Sequence, residues 1–126
     1  MPLLAPISVG ELLDKISILE IKAEALADPA KQANVMRELA ALDALRGREV
    51  AAMPELDALF AQLQAVNRAL WRIEDDIRAI ERTGQFDEHF IELARSVYRT
   101  NDLRALVKRR INELTGSEIV EEKSYV

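Results

Sequence analysis

Three side chains in the last third of the sequence have the types and spacing to bind an anion. Tyr98 and Arg99 follow Arg95 by three and four residues, the spacings at which side chains are neighbours on a helix. Two guanidinium groups one turn apart can clamp a phosphate or a carboxylate, with the Tyr98 hydroxyl as a third donor. The alternative, which we favour, is a solvated face on which Glu92 pairs with Arg95 and Arg99 pairs with Asp102.

Asn101 and Arg104 follow on the same predicted helix, at positions where its apolar stripe should continue inward. A guanidinium on a core-facing line is costly unless it is paired or bound to an anion. One interpretation is that Asn101 and Arg104 line a polar pocket and converge with the three residues above on a phosphorylated or carboxylated ligand. The alternative, which we favour, is a slip in register that lets Arg104 reach solvent and moves the stripe to Thr100, Leu103 and Val107.

Acidic residues elsewhere are weaker candidates for a magnesium site. Glu11 and Asp14 lie one turn apart, and the run 74–76 contains three adjacent carboxylates. Glu11, however, is also explained as a helix-capping residue, and Asp75 falls on the outermost position of its helix. The chain has one histidine and no cysteine, which excludes paired Glu-x-x-His di-iron sites, disulfides and thiol catalysis. We therefore predict no metal and no cofactor.

Two apolar features favour a protein partner. Ile18, Ile21 and Ala25 form a second apolar strip on the first predicted helix, roughly opposite its main stripe. Trp71 lies beside the core-facing seam of the third predicted helix. An apolar strip of this kind faces another helix or makes an intermolecular contact, and tryptophan is a common interface anchor. We therefore predict a homodimer, because two-fold pairing is the commonest way to bury such a surface. A different protein partner is the alternative.

The composition restricts both the fold and the partners. Apolar residues make up 49% of the 126 positions and charged residues 31%, while four Gly and four Pro are too few for the turns of a sandwich or barrel. An all-α domain is therefore predicted. A net charge of −5 argues against broad nucleic-acid binding. Because no apolar run approaches the ~20 residues of a membrane span and the start has no basic signal region, we expect a cytoplasmic protein without membrane insertion.

Capping residues and helix breakers predict four helices that must position these side chains. Ser8 and Glu11 match the capping box, in which each side chain accepts a hydrogen bond from the other residue's backbone N–H. Asp28 with Pro29 starts the second helix and Pro54 the third. The predicted helices span about 8–27, 29–53, 54–83 and 87–115, and an extended tail follows at 117–126.

Short loops between these helices predict a single domain, residues 1–126, folded as a mainly antiparallel four-helix bundle. The third helix has the strongest pattern, with spacings of three and four typical of a coiled coil, at Leu56, Leu59, Leu63, Val66, Leu70, Ile73, Ile77 and Ile80. The fourth is interrupted by the polar residues Thr100–Asp102, which could kink the helix or divide it in two.

Three stretches of the chain together resemble a known family. They are GELLDKISILEIK in the first helix, LWRIEDDIR in the third, and LARSVYRTND with KRRINELTGSEIVEEKSY in the fourth helix and tail. The chain resembles an uncharacterised family of short bacterial helical proteins, found alone or attached to tetratricopeptide-type glycosyltransferases. The resemblance covers nearly the whole chain. It implies an association with bacterial cell-surface glycan assembly and has no established catalytic residues to transfer.

The predicted function is therefore a non-enzymatic, self-associating interaction module. The alternative is a small helical enzyme or a binding protein for a phosphorylated or carboxylated ligand. The two differ in what the fold must show. An interaction module needs an apolar surface open to solvent, whereas an anion site needs several arginine side chains that converge on one cavity.

Overall fold

The computed structural model describes residues 1–123, and most of them lie in four helices. These are α1 (Val9–Ala25), α2 (Pro29–Glu49), α3 (Pro54–Thr83) and α4 (Glu88–Thr115). The described residues contain no strand, so the all-α prediction is confirmed. None of these helices has the length and apolar character that a membrane crossing would need.

The helix ends follow from local chemistry. Ser8 Oγ accepts a hydrogen bond from Glu11 N at 2.9 Å, and Asp28 caps α2 through the backbone N–H of Ala30 at 2.9 Å. Gly84 and Gly116 end α3 and α4 with φ angles of 72° and 64°, the left-handed conformation that favours glycine. Such short-range signals explain why most predicted bounds lie within two residues of those observed.

Two expectations about the helices need correction. The second helix was expected to reach residue 53, but α2 ends at Glu49, because the backbone of Val50 is extended and the chain is non-helical until Pro54. The fourth helix passes through Thr100–Asp102 without interruption and is therefore not divided. Residues 124–126 of the expected tail lie outside the described residues.

Helix α1 is the centre of the bundle. It packs against α2, α3 and α4. Within residues 1–123, the backbone of α2 lies close to that of α1 and of no other helix. Helices α1 and α4 are antiparallel, since Glu11 pairs with Lys108 and Asp14, one turn later, pairs with Arg104. The buried core comes from α1, α3 and α4: Leu12, Leu13, Ile16, Leu56, Leu63, Val107 and Ile111.

The hairpin of α3 and α4 is longer than the helix that covers it. At about 1.5 Å per residue the 30 residues of α3 span about 45 Å, whereas the 17 residues of α1 span about 25 Å. All buried residues of α3 lie in its first half, and Ile73, Ile77 and Ile80 are only half-buried. We call the part of the hairpin nearest its turn, residues 72–83 and 88–99, the arm.

Candidate functional site

A buried polar network joins α1, α3 and α4 within the bundle. Asp14 is fully buried, with 0% of its surface exposed, and Ser17 and Asn67 are buried beside it. The Asn67 side-chain amide donates one hydrogen bond to Asp14 Oδ1 at 2.9 Å and another to Ser17 Oγ at 3.1 Å. Polar groups here replace apolar side chains on the inward faces of two helices. Their hydrogen bonds therefore define how α1 sits against α3.

Two cations on α4 complete the network. Arg104 Nε donates to Asp14 Oδ1 and Oδ2 at 3.0 and 3.1 Å, and Arg104 Nη2 also donates to Oδ2. Lys108 Nζ lies 2.6 Å from Glu11 Oε2 and 3.6 Å from Asp14 Oδ2. Two positive charges thus face two negative charges across the contact of α1 with α4. This balance allows the carboxylate of Asp14 to be buried.

The surroundings of Asp14 keep it ionised. Burial alone would raise its pKa, but hydrogen bonds from Arg104 and Asn67, with the charges of Arg104 and Lys108, outweigh burial and lower the pKa of Asp14 below 3.8. The same hydrogen bond raises the pKa of Arg104. Both groups are therefore charged at neutral pH, and Asp14 is not poised to exchange a proton there.

The preferred sequence interpretation of Arg104 is wrong. Its side chain does not reach freely into solvent but turns inward to Asp14, with 30% of its surface exposed. The proposed slip in register does not occur either, since Leu103 is 53% exposed while Val107 is buried. The less favoured interpretation, an inward Arg104, is the one observed, although its partner Asp14 on α1 was not predicted.

Glu11 also differs from its expected role. The capping box is half formed: Ser8 Oγ accepts from Glu11 N, but the Glu11 carboxylate binds Lys108. Ser8 Oγ also donates a hydrogen bond to Glu121 of the segment after α4. Glu11 and Asp14 are thus both occupied by cationic side chains. Residues 1–123 hold no group of three or more side chains placed to bind a metal ion.

An open groove of about 570 Å³ lies where α1, α3 and α4 meet. Its apolar lining includes Ile18, Ile21, Leu70 and Trp71, so three of the four predicted interface residues share one surface. The strip is less exposed than expected, because Ile21 is itself buried against the bundle. Ala25, the fourth predicted interface residue, is exposed and does not line the groove.

The groove separates the five residues of the predicted anion site. Asn101 and Arg104 line it, whereas Arg95, Tyr98 and Arg99 are exposed on another face of α4. Arg99 Nη1 lies 3.0 Å from Glu92 Oε1, and its guanidinium lies 5.9 Å from the centre of the Tyr98 ring. Asp102, the partner expected for Arg99, pairs with Lys123 instead. The five side chains therefore do not converge on one ligand.

The sequence analysis missed Ser17, Asn67 and Lys108 of this network, and it considered Asp14 only as a magnesium ligand. A signal for them existed, because Asp14 and Ser17 lie three residues apart beside Leu13 and Ile16. Polar residues repeated at an inward spacing on one helix, with basic residues at inward positions of another, indicate a buried ion pair. Neither the polar residues of α1 nor the basic residues of α4 predict the ion pair alone, because the sequence does not show that the two helices are neighbours.

The comparisons with known proteins identify a family and no activity. No curated protein and no solved structure matches the chain. A family model described as a family of unknown function (DUF6165) matches residues 3–126. This match covers nearly all of the sequence, including the α1, α3 and α4 residues of the network. The chain therefore belongs to the family of unknown function DUF6165.

Proposed function

We propose that this protein is a non-enzymatic helical interaction module that self-associates through the groove and the adjoining arm. The observation that carries the proposal is the groove itself. Ile18, Leu70 and Trp71 are only half-buried there, and Ile73, Ile77 and Ile80 of the adjoining arm are only half-buried as well. A second helical surface would bury these side chains and gain the hydrophobic free energy that the isolated chain forgoes.

The charged residues support an interaction module over an enzyme. The two ion pairs of the network join α1 to α4 and neutralise all four charges: Glu11 with Lys108 and Asp14 with Arg104. This arrangement stabilises the helix contact and leaves neither carboxylate free to act as an acid or base. The alternative of a phosphorylated or carboxylated ligand has weaker support, because the predicted arginines lie on separate faces of α4. The link to cell-surface glycan assembly is a further proposal that rests on the sequence resemblance alone.

The charges at the rim favour a second copy of the chain as the partner. Glu74 and Asp75 lie beside Arg78 on α3, so one short surface carries both signs. Within the chain, Arg78 Nε lies 3.7 Å from Glu74 Oε2, and this exposed pair is weak enough to exchange partners. In an antiparallel two-fold contact, Glu74 of one copy would lie opposite Arg78 of the other, and the reverse pair would form with it. A surface of one sign would instead repel its own copy.

The only tryptophan of the chain makes this proposal directly testable. Trp71 lines the groove, so its fluorescence reports whether the groove becomes covered. We expect sedimentation equilibrium across micromolar concentrations to show a transition from one chain to two. The emission of Trp71 should shift to shorter wavelength with the same midpoint. A constant monomer mass with unchanged emission would contradict self-association.

Charge-reversal variants locate the contact. Glu74→Arg should weaken the dimer by about tenfold, because like charges then meet twice in a two-fold interface. Adding Arg78→Glu to that variant should restore it, since the two signs are again opposite. Glu38→Arg, the same reversal on the exposed face of α2, is the matched control. Equal weakening by Glu74→Arg and Glu38→Arg would exclude the groove as the interface.

A further inference from the structure

The segment after α4, residues 117–123, returns along the bundle and binds it through its acidic side chains. Glu121 accepts hydrogen bonds from Ser8 Oγ and from Asn112 Nδ2, the latter at 3.3 Å. Ser117 Oγ accepts from Val9 N at 3.3 Å. The carboxylate of Glu121 thus lies at the contact between the start of α1 and the end of α4.

The position that receives Glu121 is built from buried parts of the bundle. Ser8 and Asn112 are 1% and 2% exposed. Asn112 Oδ1 accepts a hydrogen bond from Gly10 N at 2.7 Å, which orients the amide so that Nδ2 can donate to Glu121. A Cβ atom at Gly10 would stand 2.7 Å from the Lys108 carbonyl oxygen, so only glycine allows this approach of α1 to α4. The donors are therefore held in place by helix packing.

The next two residues of the segment make ion pairs with the outer face of α4. Both carboxylate oxygens of Glu122 lie 3.2 Å from Arg109 Nη1, and Lys123 pairs with Asp102. Adjacent side chains therefore meet different partners, as in an extended peptide. The bundle receives two neighbouring carboxylates, one at a buried pair of donors and one at an exposed arginine.

The segment is held loosely despite these contacts. Residues 118–123 are all exposed, and a cavity of about 350 Å³ remains between the segment and α4. Leu106 lines this cavity and is 45% exposed. Exposed ion pairs add little to stability, and a segment with few apolar contacts opens at low free-energy cost. The segment can therefore leave while the donors beneath it stay in position.

We propose that Ser8, Arg109 and Asn112 form a binding site for an extended segment with two adjacent carboxylates. The chain's own Glu121 and Glu122 occupy this site, and the same segment of a second copy can take their place. If two chains exchanged residues 117–123, they would be joined by the same hydrogen bonds and ion pairs that the segment makes within one chain. This site involves none of the groove residues, so it does not depend on the proposed self-association through the groove.

The test uses the full chain and a fluorescent peptide of residues 117–123, followed by anisotropy. Wild-type protein should bind the peptide weakly, because its own tethered segment competes at a high effective concentration. In Glu121→Ala/Glu122→Ala protein the competing carboxylates are gone, and the affinity for the peptide should rise by about tenfold. Equal affinities for the two proteins would overturn the proposal.

Two controls identify the contacts. A peptide in which both glutamates are replaced by alanine should bind the double variant about tenfold more weakly than the natural peptide does. Adding Arg109→Ala to the double variant should weaken natural-peptide binding, and Arg109 is exposed enough to be changed without loss of folding. Glu74→Arg should leave peptide binding unchanged. A peptide affinity that stays the same after either the peptide glutamates or Arg109 are replaced would overturn the proposal.

Discussion

The most constrained single residue is Asp14, whose carboxylate is buried and meets an amide and two cations. Asp14→Asn keeps the size of the side chain but leaves Arg104 without its buried counter-charge, whereas Lys108 keeps its ion pair with Glu11. Removing one member of a buried pair typically costs about 3–5 kcal/mol, and because Arg104 is partly exposed we expect a loss of about 3 kcal/mol. Urea unfolding at neutral pH measures it. Asp75→Asn, on the exposed rim of the groove, should leave the free energy of unfolding nearly unchanged.

The stability difference between wild type and Asp14→Asn should also depend on pH, in a direction set by the lowered pKa of Asp14. The pKa of Asp14 is lower in the folded state than its ordinary value of 3.8, so the ionised group stabilises the fold fully above that pH. This contribution is lost as the pH falls from 3.8 through the lowered folded-state pKa. The difference in stability between wild type and Asp14→Asn should therefore be constant near neutral pH and shrink below pH 3.8. A difference that grows on acidification would contradict the charge assignment.

At the scale of the helix, α3 changes character along its length. The regular apolar spacing of α3 predicts that burial is deepest near Leu70 and Ile73, in the middle of the stripe. The buried residues are instead Leu56, Leu63 and Asn67, in its first half. Leu63→Ala should cost about 2–5 kcal/mol, because it leaves a cavity in the core. Leu103→Ala, the same truncation at a half-exposed site on α4, should cost less than about 1 kcal/mol. Similar losses in urea unfolding would place the core elsewhere.

The helices also show which features could be predicted from the sequence. Caps, prolines and glycines act over a few residues, so the start of α1 and the ends of α3 and α4 were predictable. The polar network was not, because Asn67 and Arg104 lie 53 and 90 positions from Asp14. A polar residue on an apolar stripe indicates a missing partner, but a local pattern cannot say which helix supplies it. Glu11 was misassigned for the same reason, since a local cap seemed sufficient.

For the molecule as a whole, α2 is the least anchored helix. It packs on α1, and among the described residues its only buried side chain is Val35. Its contact with α3 is made by side chains, as where the Arg46 guanidinium lies 4.5 Å from the centre of the Phe60 ring. A helix with so few buried side chains should open without global unfolding. We expect amide hydrogens of α2 to exchange faster than those of α1 under native conditions, measured by mass spectrometry or NMR. Equal protection of α1 and α2 would show that the bundle opens as one unit.

The distance between Asp14 and Arg104 along the chain has a consequence for synthesis. About 90 residues must be added after Asp14 before its cation exists, which takes roughly 5 to 20 seconds on a ribosome. During that time the carboxylate needs water, so the nascent α1 cannot bury the face that will enter the core. It can pair with α2, its neighbour in sequence, but it must wait for α4. Pairing of α1 with α2 can therefore precede the synthesis of α4, whereas closure of the interior around Asp14 must follow it.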